Sequence, residues 1–344
     1  MKKIILTMLL VFTLVGCNKN VEQTTTEDTN QVEAQQEEQT EKSGDKLKVY
    51  ASNYPFYDLT KQIAGDKVEV IDITSNTRFH GWEPTARDIA DLQNGDLFIY
   101  SGNNLEPWGE NLVDDEIING EVLEASQGIE LLDSTLEHEE DDHEEEAHND
   151  HDEEEVHDHD EEDAHDHDHG QNDPHIWLSL RNSQVIIENI KNKLSELDPT
   201  NKDYYEENYE KYFQELKELD EEYSNKLSNT KKDTIIVSHE AYGYLAKDYN
   251  FNQVGIEGIN AEGEPSVKQI DEIIKASKDL NATVIFYEHT INPKVAEMIA
   301  GEVGAEMVKL NPLESLSEEE VNNNEDYLSV MKKNLEGINK GLNE

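Results

Sequence analysis

Two α/β lobes, each a mostly parallel sheet flanked by helices, joined by long helical segments: three features of this 344-residue sequence predict that fold class. Short β-rich runs alternate with helical stretches before the middle of the chain, and again after it. That alternation builds parallel sheets with helices on their faces. Between the two blocks, residues 176–227 lack glycine altogether and carry apolar side chains such as Val185, Ile186, Ile190 and Leu194 at helical spacing.

The elements follow in chain order. Lys2 and Lys3 precede a short apolar run, Ile4 to Val15, and then Leu14-Val15-Gly16-Cys17. So short a run reads as the core of a signal peptide and not as a membrane span. Cys17 is the only cysteine, so no intrachain disulfide exists. Its tetrad resembles the bacterial lipobox, which implies cleavage before Cys17 and lipidation of it, with anchoring to the outer face of a cell membrane. Residues 18–45 are rich in Gln, Thr and Glu and are read as a disordered tether. Strands are expected at 47–51, 68–73 and 96–100, with helices at 57–64 and 85–93. Pro199 breaks the glycine-free stretch into two helices. Strands at 234–238, 253–256, 283–287 and 306–310 then alternate with helices at 242–247, 266–278 and 293–303. The expected domains are 1–16 (signal peptide), 17–45 (anchor and tether), 46–180 (first lobe), 181–229 (helical connector) and 230–344 (second lobe).

Charge excludes whole classes of partner. With 28 Lys+Arg against 79 Asp+Glu, the formal charge is −51. Such a chain repels nucleic-acid phosphates and anionic headgroups alike. Much of the acidity lies in residues 137–169, where 20 carboxylates and nine histidines stand without a single Lys or Arg. Those histidines are His138, His143, His148, His151, His157, His159, His165, His167 and His169. The composition forms no core but offers many interchangeable donors, so the tract is read as a disordered loop of the first lobe that captures metal weakly.

Outside the tract only His80, His175, His239 and His289 remain. The first three stand at element ends or in adjoining loops, divided between the two blocks. Three imidazoles converging on a cleft suit a borderline-soft cation, with a carboxylate or water completing a tetrahedron. His289 is read as an exposed loop residue that could add a weak second site.

The stretches His80-Gly-Trp82-Glu83-Pro84-Thr85, Asp173-Pro174-His175-Ile176-Trp177-Leu178 and Ser238-His239-Glu240-Ala241-Tyr242-Gly243-Tyr244 resemble the substrate-binding lipoproteins of metal-ion ABC importers. Glu264-Pro265-Ser266 and Asn311-Pro312-Leu313-Glu314 look like further motifs of that family. The acidic tract before Asp173 is similar to the zinc branch. The resemblance spans about residue 47 to the C-terminus. It implies a zinc receptor with a rigid helical connector, acting as a monomer that hands Zn2+ to a membrane permease and its ATPase. It makes His80 and His175 ligands from the first lobe, and His239 and Glu314 ligands from the second, with water as the alternative to Glu314. Trp82, Glu83 and Asp173 become candidates for positions behind the ligands.

Three rival functions differ from this one in the residues they require. A zinc hydrolase would need a second His four residues after His239, where Gly243 stands, and no Gly-x-Ser-x-Gly elbow or phosphate loop is present. No enzymatic role is therefore expected. A manganese receptor would favour a second carboxylate in place of His239. Nothing in the sequence speaks specifically for an adhesin.

Overall fold

The computed structural model describes residues 46–77, 80–103, 105–133, 172–259 and 265–344. Cys17, Glu264 and the nine tract histidines lie outside the described residues. In the first lobe, β1 (Leu47–Ala51), β2 (Val68–Asp72), β3 (Leu97–Tyr100) and β4 (Glu121–Glu124) form one parallel sheet in the order β2-β1-β3-β4. Helices α1 (Tyr54–Ala64), α2 (Ala86–Leu92) and α3 (Pro107–Asp114) alternate with these strands. The run Leu-Phe-Ile-Tyr of β3 is buried at every position, as a strand covered on both faces must be.

Helices α4 (Leu180–Leu197) and α5 (Lys202–Leu227) come next, separated by a 3-10 turn over Pro199–Asn201. In the second lobe, β5 (Thr234–His239), β6 (Asn252–Glu257), β7 (Val284–Tyr287) and β8 (Glu306–Lys309) repeat the first topology in the order β6-β5-β7-β8, again parallel. Their helices are α6 (Gly243–Tyr249), α7 (Val267–Asp279), α8 (Lys294–Val303), α9 (Glu318–Asn322) and α10 (Tyr327–Asn343).

Local chemistry sets many of the boundaries. Asn53 caps α1 by accepting from the Phe56 N–H at 3.3 Å. Reciprocal capping boxes start α2 at Thr85 and Asp88, α7 at Ser266 and Gln269, and α10 at Asp326 and Ser329. Gly304, at φ +74°, ends α8 in the left-handed conformation that glycine adopts without strain.

One continuous core joins the lobes through the connector. Trp177, Tyr205, Tyr223, Tyr242 and Tyr327 are all fully buried within it. Four of these place a polar tip on a partner: Trp177 donates to the Pro312 carbonyl at 2.8 Å, Tyr205 to Asp198 Oδ2 at 2.8 Å, Tyr223 to the Met331 carbonyl at 2.6 Å and Tyr327 to the Trp177 carbonyl at 2.6 Å. Helix α10 also reaches the first lobe, where the Tyr327 N–H donates to Asp58 Oδ2 at 3.2 Å. Each sheet reverses strand order between its two central strands, β1 and β3 or β5 and β7. Ligands of such sheets sit beyond the carboxyl ends of the strands near that reversal.

Candidate metal centre

His239 is the last residue of β5, and Glu288 follows β7 directly, so both stand at the strand reversal of the second lobe. His80 lies in the loop after β2 and Glu314 in the loop after β8. His175 immediately precedes the 3-10 turn Ile176–Leu178. The side chains of His80, His175, His239 and Glu314 converge. His175 Nε2 lies 3.3 Å from His80 Nε2 and 3.3 Å from His239 Nε2. Glu314 Oε1 lies 3.2 Å from His80 Nε2, 3.3 Å from His239 Nε2 and 3.9 Å from His175 Nε2. All four donor atoms fall within 4.8 Å of one another.

Those separations have a physical meaning. A tetrahedral zinc ion holds nitrogen and oxygen donors at about 2.0–2.1 Å, which sets neighbouring donors about 3.3 Å apart. Four of the separations are at that edge length before any ion is considered. The side chains of His175, His239 and Glu314 are at most 1% exposed, and that of His80 is 7% exposed.

Two buried carboxylates orient the rings from behind. Asp173 Oδ1 accepts from both the backbone N–H and Nδ1 of His175, each at 2.9 Å. Glu288 Oε1 stands 2.6 Å from His239 Nδ1. A carboxylate that accepts the Nδ1–H hydrogen bond fixes the ring with its Nε2 facing the centre. Asp173 is itself fixed: its carbonyl accepts from Asn103 Nδ2 at 3.2 Å and from the Tyr244 hydroxyl at 3.0 Å. A Cβ at position 243 would come within 2.4 Å of Asp173 Oδ2, so glycine is needed there for close approach. The same Gly243 removes the helical His pair of a metalloprotease.

Charge within the centre is divided unevenly. Burial acts to lower the His239 pKa, but Glu288 and Glu314 outweigh it and raise the value to about 10. Burial holds His175 below its ordinary value, so it stays neutral. Glu314 lies well below the usual carboxylate range, because hydrogen bonds from His239 and His80 overcome its burial. Without metal, then, the centre holds a protonated His239 against an ionised Glu314.

The loop that presents Glu314 is tightly framed. Asn334 pairs with both backbone groups of Asn311, accepting from its N–H at 3.0 Å and donating to its carbonyl at 2.7 Å. Asn311 Oδ1 then accepts from the Leu313 N–H at 2.8 Å. Leu313 sits at φ +64°, a left-handed conformation costly for a branched side chain. Trp177 Nε1 donates to the Pro312 carbonyl at 2.8 Å, tying the His175 turn to this loop.

Not every candidate from the sequence reaches the centre. Trp82 packs edge-on against Trp108 in the outer apolar cluster of the first lobe, with ring centroids 5.2 Å apart. Glu83 is exposed. His289 is half-buried and not exposed as expected, and its Nε2 lies 3.1 Å from Ser315 Oγ. Sequence reasoning overlooked Glu288, although it follows a strand in the same way as His239.

The family model described as "Zinc-uptake complex component A periplasmic", ZnuA, matches residues 49–341. The chain belongs to the ZnuA family. Among relatives, the "High-affinity zinc uptake system protein ZnuA" of Bacillus subtilis is 38% identical over 302 residues, covering 87% of this chain and 88% of that one. The "Zinc-binding lipoprotein AdcA" of Streptococcus pneumoniae is 34% identical over 296 residues, covering 85% of this chain. There the chain spans just over half, 55%, of the relative's length. Among solved structures, the Zn(II)-bound ZnuA-like domain of Streptococcus pneumoniae AdcA superposes with a TM-score of 0.69 at 30% identity, covering 87% of this chain and all of that one. The two parallel-sheet lobes described above are thus the ZnuA fold.

Glu288→Gln keeps an acceptor for His239 Nδ1 but removes its charge. A titration should show metal affinity falling on the order of tenfold in this variant. Unchanged affinity would mean that the Glu288 charge does not act on the centre.

Proposed function

We propose that this ZnuA-family protein is an extracytoplasmic receptor that binds Zn2+ between its lobes and delivers it to an ABC permease. The convergence of His80, His175, His239 and Glu314 on one point carries this reading. Three neutral-capable imidazoles and one carboxylate match the donor preference of zinc, whereas manganese would favour more oxygen. Four protein donors also close the shell, which suits capture and not activation of a bound water. The ion is cargo, so the protein must hold it tightly and still give it up.

The remaining parts of the reading rest on sequence. Cys17 serves as the lipid anchor on the outer membrane face, and residues 18–45 as the leash. The protein acts as a monomer, with the permease and its ATPase as partners. Lobes at 46–180 and 230–344 flank the connector at 181–229. Among the described residues, no helix is long and apolar enough to cross a membrane. The tract at 137–169 gathers zinc weakly and is not the tight site.

Competitive titration with zinc and manganese tests this reading, on the intact protein and on a variant lacking residues 137–169. The variant should keep one tight zinc site, prefer zinc over manganese and lose the weaker equivalents. Absence of a tight site from the shortened protein would remove the central assignment. Equal retention of the weaker equivalents would remove the role of the tract.

A further inference from the structure

We infer that Asn76, which is not one of the four converging donors, is the clasp that sets how long the closed cleft keeps its ion; this rests on the receptor function proposed above. Asn76 belongs to the first-lobe loop that also carries His80. Its Nδ2 donates to the Leu316 carbonyl at 2.9 Å, and its Oδ1 accepts from the Leu316 N–H at 2.7 Å. Leu316 belongs to the second-lobe loop that carries Glu314. One side-chain amide therefore pairs with both backbone groups of a residue on the opposite lobe, much as a neighbouring strand would.

Both halves of the clasp are braced. On the first lobe, Asp72 Oδ2 accepts from the Asn76 N–H at 2.7 Å, while Asp72 Oδ1 accepts from the Thr74 N–H at 3.0 Å and its hydroxyl at 2.6 Å. On the second lobe, Asn311 Nδ2 donates to the Ser315 carbonyl at 3.2 Å, and Glu320 Oε2 accepts from the Ser317 N–H at 2.8 Å. Two braced loops joined by a pair of hydrogen bonds have discrete open and shut arrangements, with little room for partial slackening. The clasp sits beside the pair of ligands contributed by the same two loops, His80 and Glu314, which approach to 3.2 Å. Parting Asn76 from Leu316 would draw those two donors apart, whereas His175 and His239 lie deeper. Metal loss should therefore begin at the clasp, and a permease that pries here would release zinc without competing for it.

Asn76 has φ +60°, a conformation open to asparagine and glycine but strained for alanine. Asn76→Gly is thus the clean deletion: it keeps the backbone and removes both hydrogen bonds. Zinc loaded at one equivalent on the full chain would be chased with excess chelator. Release from Asn76→Gly should be about tenfold faster than from the parent, with the association rate unchanged, because two neutral hydrogen bonds are lost only from the closed form. Asn76→Asp keeps one acceptor but turns an oxygen toward the Leu316 carbonyl, so its release should be accelerated as well. Hydrogen exchange at the Leu316 amide should be slow in the parent and fast in Asn76→Gly. Parental release rates in both variants, or a Leu316 amide equally protected in Asn76→Gly, would overturn the clasp. A parent protein that holds no zinc would instead overturn the receptor function, and Leu316 exchange would still decide whether the clasp closes.

Discussion

His175→Ala should lower zinc affinity on the order of 1,000-fold, the largest loss expected from any single replacement in this protein. Zinc sites built from four side chains bind with an apparent 10–16 kcal/mol or so, which assigns roughly 2.5–4 kcal/mol to each ligand, the upper end applying where water cannot substitute. His175 is the ligand nearest to being irreplaceable. Its Nε2 lies 3.3 Å from both other imidazole nitrogens, and its side chain is fully buried, so water cannot easily take its place. The fold should survive, because Trp177, Ile176 and Leu178 continue to anchor the same turn in the core. Chelator competition combined with a thermal melt separates the two effects. An affinity within a few-fold of the parent would remove His175 from the metal shell.

Zinc affinity should also rise with pH, by about tenfold per unit and so about a hundredfold between pH 7 and pH 9. The cause is the proton on His239, whose pKa is raised to about 10 in the metal-free centre. Zinc needs the neutral ring, so binding must expel that proton throughout this range. His175 adds nothing to the slope, since burial already keeps it neutral. The same protonation bears on the metal-free fold. A histidine whose pKa is raised on folding contributes stability that is full below its unfolded value and is lost as pH climbs through about 10. Glu314 acts oppositely, contributing stability above the ordinary carboxylate range and losing it only as pH falls through its depressed value. Calorimetry near pH 7.5 in buffers of different ionisation enthalpy should report about one proton released per zinc. Release of none, with affinity flat from pH 7 to 9, would contradict this charge assignment.

These two effects explain how a closed shell can bind a cargo. The protonated His239 and ionised Glu314, 3.3 Å apart, stabilise each other within the second lobe before metal arrives, so its two donors already stand in near-binding geometry. Asp173 and Glu288 hold the rings from behind, and the strained Leu313 is kept in place by Asn311 and Asn334. The connector helices and the core shared through Trp177 and Tyr327 leave little freedom for large swings. Small motions at the loops carrying His80 and Glu314 are then the natural route for entry and release.

Much of this was legible in the sequence, and the gaps have physical causes. Seven of the eight strands follow apolar runs that the sequence displays openly. The eighth, β4, reads Glu-Val-Leu-Glu, too short and acidic to announce itself. Helix α3 opens at Pro107 and contains Gly109, which weakens its helical signal. Helix α10 carries a full apolar stripe, Tyr327, Val330, Met331, Leu335, Ile338 and Leu342, yet it lies past the last motif that drew attention. The ligand candidates were visible because histidines are scarce outside the acidic tract. Glu288 was not, because one acid among 79 carboxylates carries no signal until a fold places it behind His239. Asn76 and Asn334 were hidden for the same reason: their importance lies in backbone groups far away in the chain. Trp82 and Glu83 follow His80 closely, but chain proximity alone did not bring Trp82 out of its aromatic cluster or turn Glu83 inward.

X-ray absorption at the zinc edge, on the protein lacking residues 137–169 and loaded with one equivalent of metal, tests the centre most directly. Four donors near 2.0 Å are predicted, with scattering from three imidazole rings and one carboxylate oxygen. A six-coordinate ion, or one with fewer than two imidazoles, would contradict it.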